Sequence, residues 1–144
     1  MGMEENKAAV RRVIEEAFNR GNLRVIDEHL DPGYVDHVGV TQEIHGIEEF
    51  KQFVSGYRTG FPDIAITIEE QIAQGDVVVT RWSATGTHRG DLAGIPPTGK
   101  QVKVTGLALE RFSGGKIVET WDQYDALGMM QQLGVVPTPQ EVTA

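Results

Sequence analysis

The side chains in this sequence that could move protons are the two acids of Trp121-Asp122-Gln123-Tyr124-Asp125 and the four histidines His29, His37, His45 and His88. One carboxylate or imidazole held in an apolar cavity has its pKa pushed toward working pH, and it can then serve as base and afterwards as acid without metal or cofactor. Other chemistries lack their carriers. The histidines show neither HxxxH nor HxH spacing, and no third ligand is suggested beside any pair, so no metal is expected. There is no GxSxG elbow and no GxGxxG after a strand, and Gly114-Gly115-Lys116 falls in a hairpin turn rather than before a helix, so it is no phosphate loop. With no cysteine, disulfides, thiolate metal sites and a cysteine nucleophile are all excluded. No cofactor is expected.

The elements that must position these groups can be read from periodicity and turn residues. Val10, Val13, Ile14, Ala17 and Phe18 recur at helical spacing up to Gly21, and Asn22 caps a shorter helix through Leu30 that Asp31-Pro32-Gly33 ends. Tyr34 to Val38 reads as a short strand. Ile47, Phe50, Phe53, Val54 and Tyr57 then restore the helical period as far as Gly60-Phe61-Pro62-Asp63. The remainder is strand-like: Ile64 to Ala73, Val77 to His88, Gln101 to Phe112 and Lys116 to Tyr124, with turns at Gln74-Gly75-Asp76 and Ser113-Gly114-Gly115. Ala126 to Leu133 can form one more short helix before Gly134, and Pro137-Thr138-Pro139 marks an unstructured end. Helices at the front and long antiparallel strands behind predict an α+β fold, with one face of a strongly curved sheet covered by helices and no parallel crossover. At 144 residues the chain is expected to be a single domain, 1–144, with an ordered core of about 4–134.

The net charge of -8, from 13 Lys+Arg against 21 Asp+Glu, would repel a phosphate backbone, so no nucleic acid partner is expected. No apolar run approaches the ~20 residues needed to span a bilayer. The acidic N-terminus lacks the basic end and apolar centre of a signal peptide. These features predict a soluble cytoplasmic protein with no membrane partner.

Several strings carry a family pattern: Arg81-Trp82, Gly86-Thr87-His88, Gly94-Ile95-Pro96-Pro97-Thr98-Gly99-Lys100, Gly115-Lys116-Ile117-Val118-Glu119, Trp121 through Asp125, and Gln132-Leu133-Gly134. Together they resemble the SnoaL-like polyketide cyclases, or ester cyclases, of the nuclear transport factor two-like superfamily, over nearly the whole chain from the first helix to Gly134. The resemblance implies a cone-shaped, curved antiparallel sheet wrapped around three helices, the cystatin-like or α+β barrel. It also implies a pocket in the open end of the cone for a small apolar or aromatic molecule, and a homodimer formed through the sheet's outer surface. Cyclases of this kind close a ring by intramolecular aldol attack, in which a carbon acid loses a proton and the accepting carbonyl gains one. The same cone also hosts isomerases, hydrolases, dehydratases and plain binding proteins, so function must be argued from the pocket.

Asp125 closes the last strand in a position that resembles the family's acid/base aspartate, and it shares strand parity with Trp121 and Gln123. Its other reading is as the cap of the helix beginning at Ala126. Asp122 falls on the opposite face of a regular strand, and a bulge would exchange the two. His37 lies where family members commonly place a histidine near the pocket, either as a catalytic partner or as a half-buried structural residue. Asp36, pointing the other way, is expected at the surface. Trp82 shares a face with Ala84, Gly86 and His88, and offers either a flat wall for an aromatic ligand or a core residue. His88, at the strand end, faces the pocket mouth or solvent. Trp121 and Tyr57 join the expected substrate-binding set. So do Leu107 and Leu109, as an apolar wall with no acid/base partner for Asp125. Asp91 to Lys100 reads as a stiffened lid or a long hairpin connection. The expectation is a cofactor-independent cyclase or isomerase acting on an aromatic or polyketide-like carbonyl compound, with a non-catalytic small-molecule-binding module as the alternative and a purely structural dimerisation domain as a third possibility.

Overall fold

The computed structural model describes residues 2–138. Helix α1, Met3–Arg12, runs without a break into a π-helical segment, Val13–Phe18, and together they bury one stripe: Val10, Val13 and Ala17. Gly21 then takes φ 76°, a left-handed value that an L side chain rarely adopts, and the chain turns into α2, Arg24–His29. Leu30, expected to close that helix, instead opens β1, Leu30–Val38. A further strand, β2, Gln42–His45, escaped the sequence reading: four residues with one apolar member, Ile44, carry no usable alternation. Helix α3, Gly46–Gly60, buries Phe50 and Val54, and the Glu49 carboxylate accepts from the His45 backbone N–H at its start. Strands β3 (Ala65–Gln74), β4 (Val77–Thr87), β5 (Gln101–Ser113) and β6 (Lys116–Tyr124) follow as successive hairpins, and α4, Ala126–Leu133, ends the order. Pro139, part of the expected unstructured end, lies outside the described residues.

The six strands form one curved open sheet in the order β2-β1-β6-β5-β4-β3. All neighbours are antiparallel except β1 and β6, which pair in parallel with Asp36 opposite Thr120 and Val38 opposite Asp122. The expected antiparallel sheet thus contains one parallel pair, between strands far apart in sequence. Hairpins alone would leave β6 at a free edge, and curvature brings it back beside the first strand.

Two bulges decide which side chains face the helices. In β3 the register shifts between Ile68 and Glu70; before it Ile66 and Ile68 point inward, after it Gln71 and Ala73 do, and Ile72 is left exposed. In the β5–β6 hairpin, Phe112 pairs with Ile117 and Arg111 with Glu119, so Val118 is an extra residue. Ile117 faces inward on one side of it, and Thr120, Asp122 and Tyr124 on the other.

The interior divides into a larger cluster built on Val10, Ala17, Ile26, Tyr34, Phe50 and Val54 and a smaller one on Phe61, Leu92, Val102, Val104, Met129 and Leu133. Among the described residues no helix is long and apolar enough to cross a membrane.

Candidate active site

A cavity of about 140 Å³ lies between the helices and the concave face of the sheet, reaching both clusters. Val10, Val13, Ile14 and Phe18 line it from the first helix, Phe50, Phe53 and Tyr57 from α3, and Met129 from α4. The sheet contributes Trp82, Val102, Val104 and Ala108, together with the polar side chains of Tyr34, Thr85, Glu110, Thr120, Asp122 and Tyr124. Trp82 reaches in because its cross-strand partner is Gly106: a Cβ there would stand 2.4 Å from the indole. The hydroxyls are mutually satisfied. Tyr34 bonds Thr120 Oγ1 at 2.7 Å, and the Tyr57 and Tyr124 hydroxyls meet at 2.6 Å. Burial raises both Tyr34 and Tyr57 well above the ordinary tyrosine range, so both stay neutral.

The carboxyls are where reactivity gathers. Asp122 lines the cavity, and behind it stands Asp36, which is fully buried. Neither oxygen of Asp36 has a hydrogen-bond partner among the described residues, and the charge of Asp122 acts on it at close quarters. Two like charges in one buried site disfavour each other, so the pair holds a proton. Burial first, then the charge of Asp122 and that of Glu110, push Asp36 up to about 10. Burial also raises Asp122, while Asp36 opposes the rise. Burial thus biases both carboxyls toward the protonated form, and of the two Asp122 is the one that lines the cavity. Glu110 is buried on the same wall and raised well above the carboxylate range by burial and by the charge of Asp122, with Thr80 opposing. Among the described residues no group of three or more His, Cys, Asp and Glu side chains is placed to hold a metal ion.

Of the residues singled out from sequence, Trp82 and Tyr57 line this cavity. The others lie elsewhere. Asp125 is exposed and caps α4, its Oδ1 accepting from Gly128 N–H at 2.9 Å. The capping alternative therefore describes its contacts, and Asp122 takes the inward position through the Val118 bulge. His37 points to the outer face of the sheet, with Nε2 2.7 Å from Glu119, Nδ1 3.1 Å from Glu43 and its ring stacked on Trp121. The Glu119 hydrogen bond raises its pKa, desolvation opposes it, and the Glu43 hydrogen bond adds to the rise. Trp121 lies on that outer face beneath the Arg111 guanidinium, opposite Leu109, and Leu107 is half exposed. His88 is fully buried but holds the following loop rather than the cavity. Thr98 N–H donates to its Nδ1 at 3.2 Å, Thr98 Oγ1 lies 3.1 Å from the same nitrogen, and its ring packs on Phe61.

Sequence reasoning missed Asp36 and Glu110, and both carried a signal. Asp36 has the parity of Tyr34 and Val38, and Glu110 that of Val102, Val104, Ala108 and Phe112, all inward-facing. In each strand an acid of the apolar parity was the mark of a buried carboxyl.

The family description "SnoaL-like polyketide cyclase" matches residues 8–133. The aklanonic acid methyl ester cyclase DauD of Streptomyces sp. strain C5 is 33% identical over 141 residues, covering 91% of this chain and 83% of that one. Among solved structures, a proposed SnoaL-like polyketide cyclase from Jannaschia sp. CCS1 superposes with a TM-score of 0.86 at 28% identity, covering 94% of this chain and 95% of that one. AclR, a proposed hydroxylase from Streptomyces galilaeus, gives 0.85 at 30% identity, with 99% and 88% covered. On this evidence the chain belongs to the SnoaL-like polyketide cyclase family.

Proposed function

We propose that this protein is a cofactor-independent cyclase that closes a ring by intramolecular aldol attack within an aromatic or polyketide-like ester, with Asp122 as its acid/base. The observation that supports this most is the placement of Asp122: a carboxyl facing an otherwise largely apolar cavity, with the buried Asp36 behind it. In the reaction the Asp122 carboxylate takes a proton from a carbon flanked by carbonyls. The resulting enolate carbon attacks a ketone of the same molecule, forming the new C–C bond, and Asp122 returns the proton to the alkoxide oxygen. Substrate and product are isomers, so nothing else is consumed.

The similarity to an aklanonic acid methyl ester cyclase, within a polyketide cyclase family, supports a polyketide methyl ester as the substrate class. A cavity of about 140 Å³ matches one ring, since a cavity of ~150 Å³ holds benzene. The reacting end of such an ester is thus the part that would enter beside Asp122. The test is to incubate the protein with aklanonic acid methyl ester in heavy water. Conversion to a ring-closed isomer, or deuterium uptake at the acidic carbon faster than in a protein-free control, supports the reading; an ester neither closed nor labelled faster than in that control rejects it for this class. The exposed Leu107, with Leu109 and Trp121 beside it, supports assembly of two copies through the outer face of the sheet.

A further inference from the structure

Glu110 is a cavity-lining carboxyl that the proton transfer above does not use. It stands on β5 opposite Thr120, is 7% exposed, and has Thr80 as its side-chain partner; its Oε1 has none. Arg81 on the neighbouring strand β4 and Arg111 on β5 itself serve the other face. Arg81 pairs with Glu70, and Arg111 lies over Trp121. A carboxylate at Glu110 would therefore be a buried charge with no cation, acted on by the charge of Asp122. The neutral acid avoids that cost. A neutral carboxylic acid, however, owns one O–H donor, and Oε1 finds no acceptor in the protein.

We propose that Glu110, as a neutral acid, donates a hydrogen bond to a carbonyl oxygen of the bound ligand, so that the cavity selects compounds whose carbonyl lies beside the C–H that Asp122 deprotonates. This deepens the cyclase reading and rests on it for the reaction. As the proton leaves carbon, negative charge gathers on that carbonyl oxygen, and a donor already aimed at it stabilises the enolate without moving. Glu110 keeps its proton throughout. It fixes which ligand atom faces it, and Asp122 does the transfer.

The test is binding alone, with acetophenone and its hydrocarbon counterpart ethylbenzene as probes, titrated by ligand-induced shifts in the NMR spectrum of the whole chain. The readout is the ratio of the two affinities, which cancels changes common to both. Glu110→Leu is expected to lower the acetophenone preference about tenfold. Glu110→Gln, which keeps a donor, is expected to leave it within about twofold of wild type. A ratio unchanged in Glu110→Leu, or a wild-type chain that binds neither probe, overturns the assignment. A second measurement, independent of how Glu110→Leu folds, uses the unaltered protein: the infrared carbonyl stretch of isotope-labelled acetophenone, expected at lower frequency in the complex than in an apolar solvent. An unshifted band also overturns it. A protein that fails to cyclise yet shows the ratio change loses only the reaction; one that cyclises without the change loses only Glu110.

Discussion

Asp36→Asn should make the protein more stable in alkali and flatten the dependence of its stability on pH. Asp36 is fully buried and its carboxyl is pushed from 3.8 up to about 10, by burial first and by Asp122 second. The folded chain thus holds a proton that the unfolded chain releases. Stability from this group is complete below about pH 4 and drains away as pH rises toward the folded value near 10. Over that window one retained proton changes stability by about 1 kcal/mol per pH unit. Asp122 and Glu110, both raised, contribute in the same direction. Asp63, held down by hydrogen bonds from Thr87, opposes them from an exposed position. Asparagine keeps the shape of the side chain while the titration disappears. Urea unfolding at pH 5 and pH 8.5 measures this directly. The wild type is expected to lose stability between the two, and the variant to lose less by several kcal/mol at most and at least ~1 kcal/mol, overtaking the wild type at the higher pH. Parallel profiles for the two proteins, or a wild type that strengthens steadily from pH 5 to 8.5, would refute the buried proton at Asp36.

Other outcomes follow from contacts already described. Gly106→Ala drives a methyl group into Trp82 and toward the Gln123 carbonyl, so it should cost roughly 1–3 kcal/mol and shift the Trp82 emission, seen by chemical unfolding and fluorescence. His37→Ala should leave turnover within about twofold of wild type, because its partners Glu43, Glu119 and Trp121 are on the outer face; a loss of ~10²-fold in steady-state rate would return His37 to the mechanism. Leu107→Glu should shift sedimentation from dimer toward monomer at micromolar concentration, and a wild type already monomeric there removes the proposed assembly.

Much of the fold was legible because local signals carried it. Helical period marked α1 and α3, and Gln74-Gly75-Asp76 and Ser113-Gly114-Gly115 fixed two hairpins. The parallel meeting of β1 and β6 was not, since it joins residues more than eighty positions apart and depends on sheet curvature. The site suffered from a single extra residue. Read from the apolar Ile117, parity places Trp121, Gln123 and Asp125 inward, but Val118 takes up one position without turning the ladder, and the inward set becomes Thr120, Asp122 and Tyr124. On β5 no bulge intervened. There Leu107 and Leu109 looked like the wall because they are the apolar pair, while the true inward residues, Gly106, Ala108 and Glu110, include a gap for Trp82 and a buried acid. Burial of Asp36 was hidden because parity was anchored on His37 as the inward residue; with His37 on the outer face, the same alternation turns Asp36 inward with Tyr34 and Val38.

The most direct measurement compares two neighbouring substitutions, Asp122→Asn and Asp125→Asn, in the rate of ring closure of aklanonic acid methyl ester. Both keep shape and remove one carboxylate, and they differ in which face of the structure they touch. Asp122→Asn is expected to lower the rate by ~10²-fold or more, whereas Asp125→Asn should turn over like the wild type, with a helix cap altered by at most about 1 kcal/mol. Full activity in Asp122→Asn, or collapse of activity in a well-folded Asp125→Asn, would contradict the assignment of the acid/base to the inward face of β6.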